Sequence, residues 1–83
     1  MAAHANAMAA TLSNGIRTAG VQLAVPTEAN EVFVVFDAAT IARIRERFAV
    51  HTPDPLKPIV RFVCSWATSE EDVAAALEVI APG

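Results

Sequence analysis

Ile59-Val60-Arg61-Phe62-Val63-Cys64-Ser65-Trp66 is the stretch on which the fold turns. Its apolar residues alternate with period two, the mark of a strand with two different faces. Val60, Phe62, Cys64 and Trp66 fall on one face, which is wholly apolar and expected to meet helices. Ile59, Arg61, Val63 and Ser65 fall on the other, which places one charge in otherwise apolar surroundings.

Upstream, Glu31-Val32-Phe33-Val34-Val35-Phe36 is β-branched and aromatic and reads as a second strand. Val21–Val25 reads as a third, joined to it through a short turn at 26–30, so an antiparallel hairpin is expected. A short fourth strand is expected at 49–52, ahead of the extended loop enforced by Pro53, Pro55 and Pro58.

Three helices frame these strands. Ala2–Ala19 is rich in alanine, and Ala5, Met8, Ala9, Leu12, Ile16 and Ala19 share a face. His4, Thr11, Ser13, Arg17 and Thr18 are assigned to its other side. Asn14-Gly15 is a potential break, and Gly20 suits the position just past the helix end. Asp37 is placed to cap a helix over Ala38–Phe48, with Ile41, Ile44 and Phe48 inward. Thr68-Ser69-Glu70-Glu71 has capping-box spacing and opens the last helix, whose stripe is Val73, Ala76, Leu77 and Ile80, with Pro82 as its stop. The expected architecture is α+β in the order α-β-β-α-β-β-α. It is a two-layer sandwich, with three helices on one face of a small, mostly antiparallel sheet. Both sheet faces are apolar, so the face bearing Arg61 calls for a second cover.

Composition sets limits consistent with this. The chain has 83 residues, 54% of them hydrophobic and 18% charged, with a formal net charge of −3. That describes one small domain over 1–83 and excludes a disordered tail. The acidic balance lacks the footprint of a nucleic-acid binder. A single cysteine excludes an internal disulfide framework. No apolar run spans a membrane and no basic leader opens the chain, so a cytoplasmic location is expected.

The residues also carry a resemblance. His4-Ala5-Asn6-Ala7-Met8-Ala9, Glu28-Ala29-Asn30-Glu31-Val32-Phe33-Val34, Val60-Arg61-Phe62-Val63-Cys64-Ser65-Trp66-Ala67-Thr68 and Glu70-Glu71-Asp72-Val73 are similar to the C-terminal end of low-specificity L-threonine aldolases. These are pyridoxal-phosphate enzymes of the aspartate-aminotransferase-like fold, and the similarity runs over nearly all of this chain. It implies cleavage of β-hydroxy-α-amino acids such as threonine to glycine and an aldehyde, with the cofactor drawing electrons out of the substrate. It further implies that Arg61 holds the substrate carboxylate. A guanidinium suits that task, since its planar fork matches a carboxylate bidentately.

The same resemblance shows what this chain lacks. The family's cofactor lysine and phosphate-holding residues lie in a large upstream domain. Lys57, the only lysine, sits in the Pro-rich loop and matches no Schiff-base motif, and Gly15, Gly20 and Gly83 form no phosphate loop. The expectation is a detached small domain, inactive alone, that binds no cofactor itself and needs a catalytic domain as partner. The alternative is an interaction module that dimerises through its sheet face. A third reading, a small amino-acid-binding regulatory domain, has Arg61 but no second polar anchor.

The remaining candidates read as structural. Cys64 is expected to be a packing thiol, Lys57 a solvated loop residue, and Glu70, Glu71 and Asp72 helix-capping acids. Arg43, Arg45 and Arg47 read as a solvated face. His4 and His51 lack metal-ligand spacing.

Overall fold

The computed structural model describes residues 2–27, 29–48, 50–54 and 56–80. The element order is α1 (Ala2–Thr18), β1 (Glu31–Val35), α2 (Ala38–Arg47), β2 (Ile59–Val63) and α3 (Glu70–Ile80). β1 and β2 pair antiparallel, with Val32 opposite Phe62, Phe33 opposite Arg61 and Val34 opposite Val60. Period-two alternation sends Val32, Val34, Val60 and Phe62 inward, where they join the buried residues of all three helices in one apolar cluster. Phe36 and Phe62 meet edge to face at 6.3 Å within it. The α+β class and the helical cover over one sheet face are therefore as expected.

The two outer strands are not. Leu23 makes one antiparallel bridge to Val34, and His51 makes one to Arg61. The first segment thus meets the strand expected to pair with it and the second meets β2, yet only one residue of each bridges, and the order of regular elements is α-β-α-β-α. Proline supplies the reason on the second segment, since Pro53 and Pro58 cannot donate to a ladder. On the first, Val25 is exposed and Pro26 follows, so pairing stops after the Ala24 N–H reaches the Phe33 carbonyl at 2.8 Å.

α1 runs unbroken through Asn14-Gly15. A Cβ on Gly15 would come within 2.5 Å of Leu77 Cδ1, so the glycine lets α3 approach closely instead of breaking the helix. Ser13 is buried, contrary to its assigned outer side, because the contact stripe 5, 8, 9, 12, 13, 16 is wide enough to include it. Ala19 is exposed, beyond the last helical turn. The helix ends in a Schellman motif. Gly20, at φ 80°, donates to the Arg17 carbonyl at 3.0 Å, and Val21 donates to the Ile16 carbonyl at 3.2 Å.

Asp37 caps α2 by accepting the Thr40 N–H at 2.7 Å, and the helix closes at Phe48 rather than containing it. α3 begins at a reciprocal capping box one residue later than expected. Ser69 Oγ accepts the Asp72 N–H at 3.0 Å, and Asp72 accepts the Ser69 N–H at 2.9 Å. Val73, Ala76, Val79 and Ile80 are buried, with Leu77 half-buried against the core. The stop assigned to Pro82 lies outside the described residues.

Gly20→Ala forces an L side chain into the left-handed region and is expected to lower stability by about 1 kcal/mol in denaturant titration. Gly15→Ala is expected to stabilise a Leu77→Ala background by about 1 kcal/mol, the helix-propensity gain. In the parent, displacement of the Leu77 side chain offsets that gain, so the double-mutant cycle is expected to show coupling.

Candidate functional site

Arg61 occupies the middle of β2, between the buried Val60 and Phe62, and alternation turns it to the opposite face. It is half-buried there. Glu31, at the start of β1, is its diagonal neighbour across the ladder and lies 3.6 Å from Arg61 Nη1. At that distance the contact is an ion pair with little hydrogen-bond character. Both side chains are about a third or more exposed, at 34% and 43%, so solvent screens the pair strongly. The Nε of Arg61 is buried and has no hydrogen-bond partner among the described residues. The guanidinium is thus held at one edge by a screened ion pair, with its Nε–H enclosed and unpaired.

A cleft of about 270 Å³ lies beside β2, lined among others by His51, Arg61, Phe62, Cys64, Thr68 and Asp72. His51 arrives through its bridge, with its carbonyl accepting the Arg61 N–H at 2.8 Å. Thr68 arrives on the turn into α3 and Asp72 on the first turn of that helix, with the turn tied to α1 by a hydrogen bond between His4 Nε2 and the Thr68 carbonyl. Burial pushes the Cys64 thiol up, which keeps it protonated and unreactive at neutral pH. It packs in the core, as expected.

Trp66 does not share the inward face of Val60, Phe62 and Cys64; it is 74% exposed. The ladder ends at Val63, and Asn30 then clamps both backbone groups of Cys64. The Asn30 carbonyl accepts the Cys64 N–H at 2.9 Å, and Asn30 Nδ2 donates to the Cys64 carbonyl at 2.7 Å. The chain then turns, with Thr68 Oγ1 accepting the Ser65 N–H at 2.8 Å and Ser65 Oγ accepting the Ala67 N–H at 3.1 Å. Alternation therefore stops before Trp66. Nothing in their residue type marks Asn30 and Glu31 as site residues. Their signal lies in the register, since pairing the two central strands antiparallel brings position 31 diagonally beside 61.

The other candidates stand apart from Arg61. Lys57 is exposed in the loop, where its N–H closes a turn on the Asp54 carbonyl at 3.0 Å. Arg45 bonds Thr52 at 3.0 Å, Arg43 bonds Thr40 at 3.1 Å, and Arg47 lies over the Phe48 ring. Among the described residues no three His, Cys, Asp or Glu side chains are grouped to hold a metal ion. No helix of the described residues is long and apolar enough to cross a membrane. A pyridoxal phosphate does not fit the groups present. The one lysine is exposed, Gly15 is filled by Leu77, and Gly20 ends a helix with open space around it.

No protein-family model matches the chain, and no curated protein matches it closely. Solved structures do. A threonine aldolase from Leishmania major superposes with a TM-score of 0.85 at 37% sequence identity, over 94% of this chain and 24% of that one. The chain thus spans about a quarter of the length of that enzyme.

Asp37 offers a direct check on the local frame. Hydrogen bonding from the Thr40 side chain, and then from its backbone N–H, holds the Asp37 carboxyl below its ordinary range. A depressed folded value means a contribution present above the unfolded pKa and lost as pH falls through the folded one. Asp37→Asn keeps a capping oxygen without the titration, so its stability is expected to fall less steeply on acidification below about pH 4 than the parent's. In sequence and in fold, this chain is similar to one small domain of a threonine aldolase.

Proposed function

We propose that this chain is the small domain of a threonine-aldolase-like enzyme and supplies Arg61 to grip the carboxylate of a β-hydroxy-α-amino acid. The observation that carries this reading is the joint sequence and fold similarity over 94% of the chain, with Arg61 presented on the face away from the helices. Arg61 sits among Phe33, Ile59 and Val63, half-buried or exposed apolar residues that a further domain would dry. Drying strengthens a guanidinium–carboxylate contact, because the screening that weakens the Glu31 pair is then removed.

In this reading the chain binds and orients the substrate, and the cofactor's own ligands come from a larger partner domain. The domain alone is then inactive, and a cytoplasmic setting suits its unpaired Cys64. Self-association through the outer sheet face is the second reading. The exposure of Val63 and Val25 on and beside that face favours it.

The test is a graft. The corresponding quarter of the Leishmania major enzyme is replaced by this chain, and aldehyde release from L-threonine is measured with pyridoxal phosphate. Turnover is expected, and Arg61→Ala is expected to raise KM at least about 10-fold, as for loss of a charge-assisted pair. A folded graft that binds the cofactor yet ignores Arg61→Ala would overturn the reading. The chain alone is expected to release no aldehyde above a cofactor-only blank.

A further inference from the structure

Two large apolar side chains stand out from the described surface, and neither lies in the cleft beside Arg61. Leu56 is 92% exposed and Trp66 is 74% exposed. Their charged surroundings are opposite. Leu56 lines a groove of about 430 Å³ together with Arg45, Lys57, Ile41 and Thr52, and among the described residues no acid lines it. The nearby Asp54 is turned onto its own loop, accepting the Leu56 N–H at 2.9 Å. Trp66 stands on the turn that runs directly into the exposed Glu70 and Glu71 at the start of α3. The asymmetry runs through the whole chain. Four of its six cations, Arg43, Arg45, Arg47 and Lys57, fall between 43 and 57, whereas α3 carries Glu70, Glu71, Asp72 and Glu78 and no cation.

From this complementarity we infer that the Leu56 groove takes the Trp66 turn of a second copy of this chain, with Lys57 and Arg45 facing Glu70 and Glu71. Tryptophan is among the side chains enriched at the anchors of such contacts, and opposite charges at the rim fix register and speed encounter. The Trp66 turn is held by the Ser65 and Thr68 hydroxyls and by the capping box, so little order is lost on docking. The contact is heterologous. A pair joined this way keeps one free groove and one free turn, so association continues head to tail or closes into a ring. A stable standard interface buries about 800 Å² per partner, roughly a sixth of the 5112 Å² this chain exposes. One loop and one turn bury less than that, so the contact is weak and reversible.

Sedimentation velocity on the full chain, up to about 1 mM at low salt, tests this in the weak regime expected of a small interface. Species beyond the dimer are expected, and raising salt to about 0.5 M, where the Debye length is only a few ångströms, should dissociate them. Two variants remove one side each: Leu56→Ser with Lys57→Glu, and Trp66→Ala with Glu70→Gln and Glu71→Gln. Both leave the core and the Ser69–Asp72 cap in place, and circular dichroism checks that each is folded. Each alone is expected to sediment as a monomer, with association weakened about 10-fold or more. Mixed in equal amounts, they retain one intact groove and one intact turn and are expected to form a dimer that grows no further. Variants that associate like the parent overturn the proposal in favour of the sheet face. A parent that stays monomeric throughout overturns it in favour of a different protein as the occupant.

Discussion

The burial of one face of a two-stranded ladder governs the rest of this structure. Val32, Val34 and Val60 are fully buried, and Phe62 nearly so, against α1, α2 and α3. An isolated pair of strands is marginal in water, and three helices closing over one face supply what it lacks. Because the side-chain period in a strand is two, fixing those four residues inward also fixes Phe33, Ile59, Arg61 and Val63 outward. A one-residue slip would bury the Arg61 charge and expose the core. The outward direction of Arg61 is thus a consequence of packing on the opposite face of its strand.

The helical layer depends on small residues at close contacts. Ala9 on α1 is fully buried, Ser13 is nearly so, and Gly15 makes room for Leu77 of α3. The other end of α3 begins at the Ser69–Asp72 cap, directly after the turn over 65–68. His4 bonds the backbone of that turn from the other end of α1. The cleft beside Arg61 therefore draws its walls from four places in the sequence: Leu12 of α1, the segment with Phe48, Val50 and His51, β2 with Cys64, and the first turns of α3 with Thr68 before them. The frame positions polar groups without saturating them, as the unpartnered Arg61 Nε shows.

Much of this was legible in the residues. Periodicity located all three helices and both central strands, since each buries a stripe that only one period explains. Asp37 and Gly20 marked boundaries because a cap oxygen and a positive φ are local chemistry. The outward direction of Arg61 followed from alternation alone. Less legible were Trp66, Ser13 and the outer strands. Trp66 continues the pattern of β2 in sequence, but the Asn30 clamp ends the ladder before it. Ser13 is polar by type, yet its place on the helix puts it under α1's contact stripe. The segments at 21–25 and 49–52 carry strand-forming residues, but each pairs at a single residue where proline or exposure stops the ladder.

The sequence by itself determined the class of fold, the inward and outward faces and the presence of one outward arginine. Those are properties of short windows, where period, propensity and capping act over a few residues. Only the tertiary structure decided what stands beside that arginine and which apolar residues stay exposed. Glu31, His51 and Thr68 reach the neighbourhood of Arg61 through strand register, a lone bridge and helix packing. Contacts of that kind join distant positions, and their geometry is set by how the whole core closes rather than by any local pattern.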